Sequence, residues 1–217
     1  MNTTDFTDLI KGRRSIRKWE QKAVAAETLR QALELATYAP NAGNQQNWRF
    51  YVILKHSVIN EIAAAVQSAA DQIAAWPEAA RLGEFAQRMT RGSSFFKDAP
   101  AGVAFAASKY QSPIDQVLEM REKSDPSAAQ VRKWREIADS RIQSVSSAIA
   151  YFLLILHQMG LGAVWMTGPM MAKGKIESIL KIPPNLDLVA YIPIGYPAEN
   201  PPLRERKPFG EVAELIQ

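Results

Sequence analysis

The sequence predicts an α+β domain, on three observations. Helical periodicity recurs along most of the 217 residues, and only four short segments read as strands, at 48–54, 101–107, 161–167 and 187–194. These strands do not alternate regularly with helices, as a doubly wound parallel sheet requires. The chain is 47 % apolar and 22 % charged, which suits one sizeable core. No repeat or linker divides it, so one domain is expected over 1–217.

Taken in order, residues 4–12 read as a short helix, with Thr4 as candidate N-cap and Phe6, Leu9 and Ile10 on one face. A basic segment, Arg13-Arg14-Ser15-Ile16-Arg17, follows in extended form. Leu29, Ala32, Leu33 and Ala36 repeat at helical spacing over 26–38, and Pro40 stops that helix. Residues 40–47 are a loop of Asn, Gln and Gly. WRFYVIL at 48–54 is dense in aromatic and β-branched residues and predicts a buried strand. Ser57 caps a helix to about 75. Pro77 breaks it, and a further helical stretch runs to about 90.

AGVAFAA at 101–107 is the second strand. Residues 108–127 carry two prolines and many charges and predict a mobile loop. The longest helical pattern covers 128–159, from Val131 and Trp134 to Leu156 and Met159, and from Ser147 to Leu156 it is apolar nearly all round. Such a helix is buried on several sides or in another subunit. Gly160 ends it. A third strand at 161–167, a helix at 172–181 and a fourth strand at 187–194 follow. The final 20 residues are extended, yet carry Val212, Ala213, Leu215 and Ile216, so the tail is expected to lie on a partner chain.

Several functions are excluded. The formal charge is +4, but the basic residues are scattered apart from 11–18, 204–207 and a mixed stretch at 121–135, unlike the aromatic-interleaved basic face of a nucleic-acid binder. No apolar run approaches the roughly 18 residues of a membrane span. Asp5 and Asp8 stand where a secretory signal needs a basic and then apolar start, so a cytoplasmic protein is expected. The chain has no cysteine, hence no disulfide and no cysteine nucleophile. Gly160 and Gly162 begin a G-x-G, but Trp165 breaks the dinucleotide fingerprint. His56 and His157 lack partners at metal-ligand spacing and read as structural; no metal is expected. Trp48 and Trp165 read as core residues. Any chemistry would then belong to a cofactor.

Alone, Arg13–Arg17 fits either a solvated face or a phosphate site, since guanidinium groups pair bidentately with phosphate oxygens. Its company decides. RRSIRKW, APNAGNQQNWRF at 39–50, GLG at 160–162, IGYP at 194–197 and the basic RERKPF tail stand in one order along nearly the whole chain. Together they resemble the nitroreductase family of FMN-dependent oxidoreductases. The resemblance implies a homodimer built on a mostly antiparallel sheet flanked by helices, with a long central helix against its two-fold mate. A C-terminal arm, here 196–217, would embrace the partner, and the variable 67–127 region would lie over the active site. Two FMN molecules would sit at the interface. NADH or NADPH reduces the flavin and leaves before a small-molecule acceptor, such as a nitroaromatic or quinone, enters the same cleft.

The resemblance also assigns residues. Arg13 and Ser15, with Arg14 beside them, match positions holding the FMN phosphate and flavin edge. Arg17 matches a basic position at the flavin N1–O2 side or the phosphate; a fixed cation near N1 stabilises the charge that reduction places there. Pro40, Asn41, Ala42, Asn44 and Gln46 match the loop that reaches the partner's FMN, with Asn41 where the family often has Ser and Asn47 where it has Pro. Ser144 lies near a position that meets the flavin or ribityl chain. Met166, Thr167 and Gly168 match the strand end whose N–H groups face flavin N5 and O4. Thr167 stands where many members carry Glu, and a hydroxyl donor there favours one-electron steps. Arg204 and Arg206, with Lys207 a further candidate, complete the phosphate site. Two alternatives stay open: a reductive dehalogenase-like or dehydrogenase-like member, and, more remotely, a non-enzymatic anion- or nucleic-acid-binding protein.

Overall fold

A computed structural model describes residues 3–108 and 112–217. Four strands, β1 (Trp48–Ile53), β2 (Ala101–Ser108), β3 (Gly162–Ala163) and β4 (Leu186–Gly195), form one antiparallel sheet in the order β1-β2-β4-β3. β2 lies inside it, and every residue from Ala101 to Ala107 is buried. Its small side chains let helices close on both faces. On one face, α2 (Ala26–Ala36) and α7 (Ser140–Gln158) pack Leu29, Leu33, Ile149, Phe152 and Leu156 against Val103 and Phe105. On the other, α3 (His56–Ala74) and α8 (Lys173–Leu180) pack Ile59, Ile62, Val66 and Ile176 around Tyr191 and Phe96. Gly102 is needed here: a Cβ would stand 2.2 Å from the Tyr191 hydroxyl. That hydroxyl is buried without a hydrogen-bond partner among the described residues, and burial raises its pKa.

Three expectations change. The 48–54 segment is an edge strand, not a buried one: β1 pairs only with β2, and of its residues only Ile53 is buried. The long pattern at 128–159 is two helices, α6 (Pro126–Ala138) and α7, broken at Asp139, which is left-handed (φ 32°) and accepts from the Ile142 N–H as the cap of α7. The predicted loop at 108–127 contains α5 (Pro113–Arg121), started by a reciprocal Ser112–Asp115 capping box; residues 109–111 lie outside the described set. α5 and α6 are joined by Arg135–Asp115 and Arg132–Glu122 ion pairs.

Smaller departures follow the same logic. α1 (Thr3–Gly12) places Thr4 inside the helix rather than at its cap. Lys55, not Ser57, precedes α3. The third strand shrinks to Gly162–Ala163, and Met166 rejoins the sheet by an isolated bridge to Tyr191. Between α3 and β2 lie a 3-10 turn at Pro77–Leu82 and α4 (Glu84–Gly92). The tail is extended except for α9 (Phe209–Val212), and leaves Leu203, Phe209, Val212, Leu215 and Ile216 exposed. α7 is buried along Ala148, Ile149, Phe152 and Leu156, while Tyr151 on its outer side is exposed. No helix of the described residues is long and apolar enough to cross a membrane.

Candidate cofactor site

The basic segment is fixed by the end of the sheet. α1 stops at Gly12, where a Cβ would be 3.1 Å from His157 Nε2 on α7. The chain then runs beside β3: Ser15 bridges Ala163, the Ile16 N–H donates to Ala163 O at 3.1 Å, and Trp19 Nε1 donates to Gly162 O at 2.9 Å. Gly162 admits Ile16, whose Cγ1 would be 2.7 Å from any Cβ there. The start of the tail joins the same edge. The Glu20 N–H donates to Tyr196 O, Ala198 N–H to Lys18 O, and the Arg17 and Lys18 N–H groups both donate to Glu199 Oε1.

The guanidinium groups on this framework are of one sign. Arg14 Nη1 donates to Lys11 O and Arg13 O, so this side chain also caps the carbonyl end of α1, while its Nε is buried without a partner among the described residues. The pKa of Arg13 is lowered by burial, then by the charges of Arg14 and Arg206. That of His157 is lowered by burial, then by Arg13 and Arg14. The structure thus brings Arg206 from the tail to Arg13. Among the described residues no carboxylate pairs with the guanidinium of Arg13, Arg14, Arg17, Arg204 or Arg206. A half-buried cation cluster without a counter-charge is a site for an anion. The residues present therefore fit a phosphate-bearing group.

The Thr167–Gly168 turn follows β3 by four residues. Met166 exchanges backbone hydrogen bonds with Tyr191 at 3.1 Å in both directions. Thr167 then leads into a 3-10 turn at Gly168–Ala172, and no acceptor among the described residues takes the Thr167 or Gly168 N–H. Beside Thr167 is a cavity of 360 Å³ that reaches Trp165, Ser146 and an ion-pair group. In that group Asp187 accepts from Arg141 Nη1 at 2.6 Å and Lys173 Nζ at 2.9 Å, and Lys173 also pairs with Glu177 at 2.7 Å. Burial pushes the Asp187 pKa up, but the two cations outweigh it and the net shift is downward. Trp165 is 37 % exposed at this cavity, contrary to the core position expected. Its neighbours in sequence cross from β3 to the bridge at Met166, which turns it outward.

The 40–46 loop lies elsewhere. Among the described residues no hydrogen bond or ion pair joins it to Arg13–Arg17. It is held to the start of α7. Ser144 is buried; its hydroxyl donates to Ser140 O and accepts from the Ala42 N–H at 3.1 Å. Ser147, one turn on, donates to Pro40 O at 2.5 Å. Asn41 Oδ1 accepts from the Gln46 N–H and Asn44 Oδ1 from Gln46 Nε2. Gly43, Asn44 and Gln46 all hold positive φ. Sequence reasoning missed Ser147, although its i, i+3 spacing from Ser144 on an apolar helix was the available signal. The Arg141–Asp187–Lys173–Glu177 group left no sequence signal, since its members come from three separate segments.

The nitroreductase family model matches residues 10–196. The chain belongs to the nitroreductase family. Its relatives include an iodotyrosine deiodinase of Thermotoga neapolitana, 27 % identical over 90 % of each chain, and an NADH dehydrogenase of Thermus thermophilus, 26 % identical over 92 % of this chain and 90 % of that one. Among solved structures, a BluB-like flavoprotein of Clostridium difficile 630 superposes with a TM-score of 0.85, at 25 % identity and 98 % and 99 % coverage. The α+β class and antiparallel sheet expected from the sequence agree with this family.

Proposed function

We propose that this nitroreductase-family chain is an FMN-dependent oxidoreductase that takes electrons from NADH or NADPH and reduces nitroaromatic, quinone or related acceptors in a ping-pong cycle. The observation that carries the reading is the uncompensated Arg13–Arg14–Arg206 cluster on the same sheet edge as the Thr167–Gly168 turn. Arg13, Ser15, Arg204 and Arg206, with Lys207, would hold the phosphate. Arg17 would face the flavin pyrimidine, where a fixed cation favours the reduced form. The N–H groups of Thr167 and Gly168 would orient the ring, whereas that of Met166 is already given to Tyr191 O. Bound FMN supplies two-electron acceptance and donation.

The site is completed by a second copy in this reading. The 40–46 loop makes no hydrogen bond to its own arginine cluster among the described residues and is held by Ser144 and Ser147 on α7, which suits a loop that serves a partner's FMN. β1 has one open edge, α7 an exposed outer side, and the tail five exposed apolar residues. Pairing two copies would cover all three.

A second reading, reductive dehalogenation, is favoured by Thr167, which puts a hydroxyl where many members have a carboxylate, and by the deiodinase relative. The test is to purify the protein, identify any bound flavin, and measure NADH and NADPH oxidation with nitroaromatic, quinone and halophenol acceptors. FMN-dependent turnover with parallel double-reciprocal lines is expected. A protein that binds no FMN on titration contradicts both readings; turnover confined to halophenols selects the second.

A further inference from the structure

A cavity of 470 Å³ opens where β1 begins, between the end of the 40–46 loop and the segment that follows α8. Its walls carry two cations, Arg49 and Lys181, the amides of Gln46, Asn47 and Asn185, and the ring of Trp48. Among the described residues no acid lines it and neither cation forms an ion pair. Arg30, Arg121, Arg132, Arg135, Arg141 and Lys173, by contrast, each have a carboxylate. Two of the wall residues hold backbone that L-residues avoid: Gln46 at φ 45° and Lys181 at φ 52°. Glycine would relieve Lys181, which caps α8 in the left-handed region. Side chains kept at such positions accumulate at binding sites.

We propose that this cavity binds the phosphorylated adenosine end of the reduced nicotinamide donor, and so favours NADPH over NADH. Arg49 and Lys181 meet the 2′-phosphate, which the cavity's lack of acids leaves unopposed. Trp48, stacked on Phe50 at 6.3 Å, presents a half-buried aromatic edge for the purine. The amides satisfy ribose hydroxyls. The cavity volume suits a nucleoside phosphate. Gln46 belongs to both this wall and the loop assigned above to the partner's FMN, so a donor seated here would reach towards that flavin. The inference rests on the proposed function for the identity of the donor.

The test uses the purified FMN-loaded protein and titrates 2′,5′-ADP, 5′-AMP and inorganic phosphate calorimetrically. Tight binding of 2′,5′-ADP is expected, with 5′-AMP and phosphate weaker. Lys181→Gly suits the local backbone, so it removes the charge while keeping the fold; Arg49→Gln removes the second charge. Each is expected to weaken 2′,5′-ADP and raise the KM for NADPH about 10-fold, with FMN content, kcat and the KM for NADH unchanged. Equal binding of all three probes, or unaltered 2′,5′-ADP affinity in both variants, overturns the inference. Loss of FMN from the variants also overturns it, because the cavity would then belong to the flavin. A wild-type protein that binds 2′,5′-ADP but never FMN would contradict the proposed function and leave the cavity's anion preference standing.

Discussion

Two arginine-rich regions of this chain look alike in sequence and differ in three dimensions. In the α5–α6 hairpin Arg121, Arg132 and Arg135 each face a carboxylate, and so does Arg141 at the start of α7. At the sheet edge Arg13 lies within the fields of Arg14 and Arg206, which lower its pKa. The first arrangement is scaffolding: opposite charges at short range hold two helices in place and leave no field to recruit a ligand. The second costs free energy through like-charge repulsion, which an anion bound among the three would offset. Charge count does not separate the two. Pairing does.

The comparison breaks most sharply if the cluster is given its own acid. Arg14→Glu would pair with Arg13, turn its sign, and remove the cap from the end of α1. FMN affinity is expected to fall at least about 100-fold, from the loss of charge-assisted bonds worth ~1.5–3 kcal/mol each, as read by fluorescence titration. Arg13→Ala is the next largest change, at about 10- to 100-fold on the same grounds. An unchanged affinity in either variant would mean that the cluster is not the anion site.

His157 sharpens the picture. Burial, Arg13 and Arg14 hold its pKa below the usual imidazole value. The unfolded chain therefore takes up protons first, so its contribution to stability rises as pH rises through about 6.5 and is lost below it. A bound dianion would cancel the field of the two arginines and raise the pKa again. The arginines also favour the dianion of a phosphate whose second pKa is about 6, which releases protons, so His157→Gln is expected to shift the proton balance of FMN binding near pH 6 towards release, measured calorimetrically in buffers of different ionisation enthalpy.

Arg135→Ala in the hairpin should have the smallest effect. Arg135 and Ser112 hold the Asp115 carboxyl well below the usual carboxylate range. Its folded pKa is depressed, so its stabilisation is present above about pH 4 and lost as pH falls towards the folded value. Solvent screens this largely exposed pair, and the loss at pH 7 should stay under about 1 kcal/mol by chemical denaturation. FMN affinity should not move. A large drop in affinity would erase the distinction between the regions.

Much of this was legible in the sequence because it is local. The periodicity of Leu29, Leu33 and Ala36 marks α2, and WRFYVI and AGVAFAA mark β1 and β2. The segments proposed for the site are marked by motifs that keep their order along the chain. What was not legible is long-range or hidden in ordinary residues. Asp139 breaks the 128–159 helix in a left-handed conformation, without the Gly or Pro that normally announces it. Whether an aromatic strand is central or at an edge depends on partners far away in sequence, so β1 was misread as buried. Ser147 is marked only by its spacing from Ser144 and Lys181 by nothing local: one is bonded to Pro40 O, the other holds an unusual φ. Paired and unpaired arginines are spelled the same way.

The most direct measurement of the central claim compares FMN with riboflavin, which differ by the phosphate alone, in wild-type protein and Arg13→Ala. Wild type is expected to hold FMN at least about 100-fold more tightly than riboflavin, added salt to narrow the gap, and Arg13→Ala to weaken FMN while leaving riboflavin unchanged. Equal affinity of the wild-type protein for the two flavins would contradict it.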